Sequence, residues 1–312
     1  MNCSRRQPDL YLSILHLGGL PNMNPKRNPD FKKTGRGSSD IPMPRYPDAP
    51  ISRLRFRQKP GLVAYVTCGD PDLATTRDIV LAAIGAGADV IELGVPFSDP
   101  VADGPVIQRA SERALKNGVS LEDVLNLAGD VRKQSDAGIV VFSYFNPVLR
   151  MGLERFCAAA KEAGADGVLL TDMTLEEADE YRRCAESHNL AAIFLAAPTS
   201  SDQRLKKIAQ ACSGFVYAVS RTGITGAQKQ LADDAQKLVK RIRKYTELPV
   251  AVGFGISNAQ QFAEVGRFAD AAVVGSAIVQ TIEQNPGRAP QAVAELIRSL
   301  REGAGKSATR GS

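Results

Sequence analysis

The chain has 312 residues, 44% of them hydrophobic, and a formal net charge of +5. That is enough for a sizeable core, and no apolar run approaches the roughly 18 residues a membrane span needs. The charge is local: residues 1–60 hold twelve Lys and Arg against four Asp, leaving 61–312 at −3, without the basic stripe and interleaved aromatics of a nucleic-acid binder.

Residues 1–50 are rich in Pro, Asn, Arg and Lys, and nine of the 18 prolines fall in the first 60 positions. This composition predicts a poorly ordered extension. "LYLSILHLGGL" after Arg5 and Arg6 looks like a weak signal segment. It carries His16 and lacks a small-residue cleavage site, so a dispensable extension, or an upstream start before Met23 or Met43, fits better. "ISRLRFRQ" (51–58) reads as a short amphipathic helix leading into the body.

From residue 61 eight apolar runs follow in order: "GLVAYVTCGD", "DVIELGVPFSD", "GIVVFSYFNP", "DGVLLTDMT", "LAAIFLAAPTS", "GFVYAVSRTG", "PVAVGFGIS" and "AAVVGSAIV". Helical patterns such as "TRDIVLAAIGAGA" and "LERFCAAAKEAGA" separate them. Eight strand–helix alternations predict a (β/α)8 TIM barrel over 51–302. An open doubly wound sheet would usually have fewer strands and a glycine-rich turn after the first; here that turn is "TCGDPD". The segment after the second strand fits two helices, roughly 105–116 and 121–134, so one is extra. "AGAD" and "AGADG" echo each other as turns before the second and fourth strands. A closing helix is predicted over 290–302, with 303–312 a flexible tail.

Five cysteines (Cys3, Cys68, Cys157, Cys184 and Cys212) lie far apart without a CxxC pair. They suggest neither a zinc site nor a disulfide framework, and they fit a reducing compartment. The only histidines are His16 and His188, read as surface or structural. Acid–base chemistry therefore falls to carboxylates, tyrosine, lysine or cysteine, and no metal or cofactor is expected.

In this fold the active site lies where the strands end. Within "DVIELGVPFSD", Val90, Glu92 and Gly94 share one face, and Ile91, Leu93 and Val95 the other. The wholly apolar face must pack on helices, so Glu92 points into the barrel. Burial there should raise its pKa, which suits a proton donor and acceptor near neutrality. Asp99 and Asp103 follow on a proline-stiffened loop; either could instead cap a turn or helix. The last two strands end in Gly253, Gly255, Gly275 and Ser276, where backbone N–H groups and a short helix could hold an anion. "SRTGITGAQ" (220–228) has the glycine punctuation of a lid. Tyr65, Phe142, Tyr144 and Tyr217, read as lying within strands, together suit an apolar pocket for a flat ring. The residues thus point to a phosphate-bearing substrate with an apolar part and carboxylate chemistry. With no lysine at an inward strand position, a Schiff-base aldolase is disfavoured.

"YVTCGDPD", "IELGVPFSDPVADGPVIQ", "SYFNPVLRMGLERF", "GFVYAVSRTGITGA", "PVAVGFGIS" and "VVGSAIV" resemble the tryptophan synthase alpha subunit, in order and with matching spacing over roughly 51–302. The resemblance implies retro-aldol cleavage of indole-3-glycerol phosphate to indole and glyceraldehyde 3-phosphate. It makes Glu92 the general acid–base and sets Asp103 against the indole N–H. It implies an indole pocket of Tyr65, Phe142 and Tyr144, with Tyr217 near the glycerol part and Thr225 as the lid threonine. It gives a phosphate cradle of Gly226, Gly253, Gly255, Ser276 and Ala277. A cytoplasmic location and a pyridoxal-phosphate beta subunit in an alpha2beta2 tetramer are implied as well. One departure is "TDMT" (171–174), where the family reads like "PDLP": Asp172 is kept and two stiffening prolines are lost. A phosphosugar isomerase on the same barrel would place its acid and base on other strands, yet the fifth run ends "AAPTS", without a carboxylate. A free-standing indole-releasing lyase would share every motif.

Overall fold

The structure, a computed structural model, describes residues 53–219, 228–253 and 255–308. The extension expected at 1–50 lies outside them. The strands are β1 (Gly61–Thr67), β2 (Val90–Gly94), β3 (Gly138–Ser143), β4 (Gly167–Leu170), β5 (Ala191–Ile193), β6 (Leu195–Ala196), β7 (Val216–Val219), β8 (Val250–Gly253) and β9 (Ala271–Val274). Helices α1 (Leu73–Gly85), α2 (Pro105–Lys116), α3 (Leu121–Arg132), α4 (Phe145–Met151), α5 (Leu153–Glu162) and α6 (Asp179–Ser187) lie between the earlier strands. They are followed by α7 (Asp202–Ala211), α8 (Gln228–Ile242), α9 (Ala259–Val265), α10 (Ser276–Gln284) and α11 (Ala289–Ala308). The two helices expected after the second strand are α2 and α3.

All neighbouring strands are parallel, in the order β5-β4-β3-β2-β1-β9-β8-β7-β6. The fifth apolar run supplies both edges of this sheet, because β5 and β6 are separated only by Phe194. Its first half pairs with β4 and its second with β7. The Tyr217 N–H donates to the Phe194 carbonyl across the seam, 3.3 Å. The result is the expected barrel with one of its eight staves divided between two neighbours.

Period-two alternation sorts the side chains. Val63, Val90, Val140, Leu169, Ile193, Ala251 and Ala271 fill the interior. Leu62, Ala64, Ile91, Leu93, Val141 and Val168 pack outward under the helices. The helix expected at 51–58 is not what forms: none of residues 53–58 is α-helical. Leu54 and Phe56 instead join the interior cluster, Phe56 tilting against Phe215 at 6.1 Å. Arg53, Arg55 and Arg57 alternate with them and stay exposed, so the segment plugs the barrel with every second side chain.

Three aspartates stand just before strands and tie the strand ends together. Asp89 accepts from the Leu62 N–H (2.9 Å) and from Arg301 (2.6 Å). Asp166 accepts from the Ile139 N–H (2.9 Å) and Arg132 (2.6 Å), and Asp270 from the Val250 N–H (2.8 Å) and Arg243 (2.7 Å). Asp89 and Asp166 are the echoing "AGAD" turns, and each of these poorly solvated charges has both an ionic and a backbone partner. The closing helix runs past the expected 302. Gly303 lets α11 lie against Ala259, with which any Cβ would collide.

Candidate active site

Glu92 is the middle residue of β2, in register with Tyr65 of β1 and Val140 of β3. It is fully buried, and neither carboxylate oxygen has a hydrogen-bond partner. An unpaired buried charge costs several kcal/mol. The group answers by keeping its proton: burial pushes its pKa up to about 8. Gly94 lies on the same face one step further along β2. A Cβ there would collide with the Tyr65 hydroxyl, so the glycine is what lets that ring cross the barrel mouth.

Asp103 sits on the loop between β2 and α2. The N-cap of α2 is Gly104, and no side chain caps that helix. The capping reading of Asp103 therefore does not hold. Its carboxylate accepts from the Tyr144 hydroxyl instead, 3.2 Å. Burial raises its pKa to about 6, with the tyrosine hydrogen bond opposing. Gln108 braces the loop from α2, its side-chain amide donating to the Asp103 carbonyl at 2.9 Å. Asp99 is exposed and accepts from the Ser98 hydroxyl, 2.6 Å.

Tyr144 is not within the third strand as expected; it follows β3 as the N-cap of α4. That displacement gives its hydroxyl the reach to span the loop, accepting from the Ala102 N–H at 2.9 Å while donating to Asp103. Phe97 stacks on its ring at 5.0 Å. Neither Phe97 nor Gln108 stood out in the sequence; the only signal was their place in "VPFSDPVADGPVIQ". Asp172, kept in "TDMT", accepts from the Phe145 N–H at 2.7 Å and so anchors the start of α4.

Tyr65 and Phe142 meet edge to face at 5.1 Å. They pack with Val106, Ile107 and Ala110 of α2 and Val279 of α10. Asp103 and Glu92 both act electrostatically on the Tyr65 hydroxyl, whose pKa burial raises most of all. The two carboxyl groups thus flank one aromatic wall. Tyr217, in β7, is half-buried against the interior cluster, and a Cβ on Gly253 would lie 3.1 Å from its hydroxyl.

Gly253 ends β8, and Gly255 follows with φ +78, a left-handed conformation that favours glycine. Ser276 and Ala277 open α10 behind Gly275, which offers no side-chain cap. The first bond of that helix runs from the Val279 N–H to the Gly275 carbonyl. The preceding N–H groups are thus free of the helix ladder and directed at the barrel mouth, a fit for an anion. Thr225 and Gly226, with most of the lid expected at 220–230, lie outside the described residues. Ser276→Asp is expected to raise KM at least tenfold, because like charge is placed where an anion would sit, with the melting temperature within a few degrees of wild type. Steady-state kinetics and a thermal melt check it; an unchanged KM would move the anion elsewhere.

A family model described as tryptophan synthase alpha chain matches residues 51–308. The tryptophan synthase alpha chain of Solibacter usitatus is 48% identical over 257 residues, covering 82% of this chain and 96% of that protein. The solved alpha subunit from Legionella pneumophila superposes with a TM-score of 0.75 at 36% identity, over 83% of this chain and 98% of that one. A chain of the tryptophan synthase α2β2 complex from Pyrococcus furiosus gives 0.75 at 38% identity, over 78% and 99%.

Proposed function

Because the chain belongs to the tryptophan synthase alpha chain family, we propose that Glu92 and Asp103 carry its chemistry. The reaction is the carbon–carbon lyase step of L-tryptophan biosynthesis: indole-3-glycerol phosphate is cleaved to indole and glyceraldehyde 3-phosphate. The observation that carries the assignment is the Glu92 carboxyl, buried, protonated near neutrality and without a partner inside the barrel.

Glu92 gives its proton to indole C3. The ring becomes a cation, with its charge shared onto nitrogen. Asp103, ionised above about pH 6, accepts the ring N–H and stabilises that cation. The Glu92 carboxylate then takes the proton of the side-chain hydroxyl. The electrons of the carbon–carbon bond return to the ring, and a carbonyl forms on the departing aldehyde. Glu92 ends as it began, so one group serves as acid and then base. Tyr65, Phe142 and Tyr144 hold the indole flat, and Tyr217 faces the glycerol part. Gly253, Gly255, Ser276 and Ala277 hold the phosphate, and the family pattern assigns Thr225 and Gly226, outside the described residues, to the same substrate. Purified chain mixed with indole-3-glycerol phosphate should release indole.

The partner is a pyridoxal-phosphate-dependent beta subunit in an alpha2beta2 assembly. The Pyrococcus furiosus relative is described as a mutually activating α2β2 complex, which disfavours the free-standing lyase. Val101, on the Asp103 loop, and Leu149, on α4, are exposed apolar side chains suited to such docking. A partner seated there would order the loop that carries Asp103. Cleavage is expected to be at least tenfold faster with the cognate beta subunit, about 1.4 kcal/mol of coupling. Asp99→Ala or Pro100→Ala should reduce that stimulation more than the basal rate. Full speed alone, unchanged by any beta subunit, would restore the free-standing reading. Among the described residues no helix is long and apolar enough to cross a membrane, and the cysteine usage supports a cytoplasmic location.

A further inference from the structure

Away from the barrel mouth, the packing of α5 on α6 brings Cys157 to Cys184 and His188, which stand one helical turn apart at the end of α6. Cys157, Cys184 and His188 each offer a ligand atom, all within 4.8 Å of one another. Cys157 is fully buried and Cys184 nearly so. The catalytic chemistry uses none of them.

The histidine is already oriented. Its Nδ1 lies 2.9 Å from the Cys184 carbonyl. A carbonyl only accepts, so the Nδ1 contact, which the Ser187 hydroxyl shares at 3.2 Å, directs a hydrogen to Nδ1 and leaves Nε2 as the nitrogen available for another partner. Nε2 faces Glu154 Oε1 at 3.4 Å, while Glu154 Oε2 lies 3.3 Å from the Cys184 sulfur. A neutral imidazole nitrogen and a carboxylate oxygen are both electron-pair donors. They face one another stably only with a cation, a proton or a metal ion, between them.

We propose that Cys157, Cys184 and His188, with Glu154 as fourth ligand, form a binding site for a borderline-soft divalent cation of the zinc type. Zinc–sulfur bonds of about 2.3 Å and zinc–nitrogen bonds of about 2.0 Å set a tetrahedral edge of roughly 3.6–3.8 Å. The Cys157, Cys184 and His188 ligand atoms, within 4.8 Å of one another, close to that edge by shifts of about 1 Å, and Glu154 reaches it through a rotation of its exposed side chain. The donor set, two thiolates, an imidazole and a carboxylate, suits zinc rather than magnesium or calcium. Each thiol releases its proton to solvent as its sulfur ligates. Entry is open: Cys184 lines a cavity of about 350 Å³ together with Leu153, Glu154, Glu180, Arg183 and Ser187. Bound there, the ion would staple α5 to α6.

The test is a titration of the reduced full chain with Co²⁺, followed by displacement with Zn²⁺. One Co²⁺ per chain is expected, with a thiolate-to-cobalt charge-transfer band and the intense visible bands of tetrahedral cobalt. Zinc at a hundredfold excess over its Kd should raise the melting temperature by about 5 °C. Cys184→Ser and His188→Gln should each weaken binding at least tenfold. Cys212→Ser, and a variant lacking both Cys3 and His16, should bind as wild type. His188 is partly exposed, so His188→Gln should fold and keep wild-type indole release, and it decides the matter if Cys184→Ser does not fold. Absence of the tetrahedral spectrum, or an undiminished spectrum in His188→Gln, would overturn the site.

Discussion

Glu92→Gln is expected to lower indole release by roughly 10²- to 10⁴-fold, the usual worth of a general acid–base group. The amide keeps the shape of the carboxyl but can neither give the proton to indole C3 nor take one back. Substrate affinity should change little, because the proposed phosphate cradle is at the ends of β8 and β9, away from Glu92. Stability carries a separate signature. In the folded chain Glu92 titrates near 8 rather than 4.5, so the native state holds a proton that the unfolded state has already lost. Wild-type stability should therefore fall as pH climbs through that window, by roughly 3.5 kcal/mol between pH 5 and 8. The variant should lack this slope. Denaturant midpoints at both pH values, read with single-turnover indole assays, separate the two effects. A variant that keeps more than a tenth of wild-type activity would remove Glu92 from the mechanism.

Asp103→Asn should cost about 10²- to 10³-fold in turnover, the scale of losing one preorganised charge stabiliser in a dry site. The asparagine can still meet the ring N–H but cannot offset the cation. The pH profile makes the claim specific. Asp103 must be ionised, so the wild-type rate rises through about pH 6. Glu92 must start protonated, so the rate falls above about pH 8. Asp103→Asn should flatten the acid limb and leave the alkaline limb in place. Affinity for a phosphate-only inhibitor should be spared. Equal losses of turnover and of that affinity would make Asp103 a structural residue.

The inward aim of Glu92 was legible because β2 alternates strictly, leaving Ile91 and Leu93 to the helices. The glycine endings of β8 and β9 were legible for a similar reason: a barrel puts all its strand-to-helix loops on one face. The divided fifth stave was not legible. Ile193, Phe194 and Leu195 alternate without interruption, and only the change of hydrogen-bonding neighbour separates β5 from β6. Tyr144 was placed inside a strand because its apolar run continues past Ser143. Its bond to Asp103 spans 41 residues of sequence, which no local pattern encodes. "RLRFR" was misread because a short run of alternating arginines and apolar residues satisfies either period, until the open end of a barrel needs filling. The Cys157, Cys184 and His188 cluster escaped notice because Cys184 and His188, four residues apart at the end of α6, make only half a site, and helix packing alone brings Cys157 to them.

The aspartate ties also set an order of assembly. Arg301 donates to the carbonyls of Pro60 and Gly87 and to the Asp89 carboxylate, positions more than 200 residues earlier. A chain emerging from the ribosome can lay down its first strands long before this clasp can form. Until the last helix arrives, Asp89 lacks its guanidinium partner. A product ending before Arg301 still contains every strand of the sheet, but it leaves the buried Asp89 carboxylate without its countercharge and is expected to melt well below the full chain.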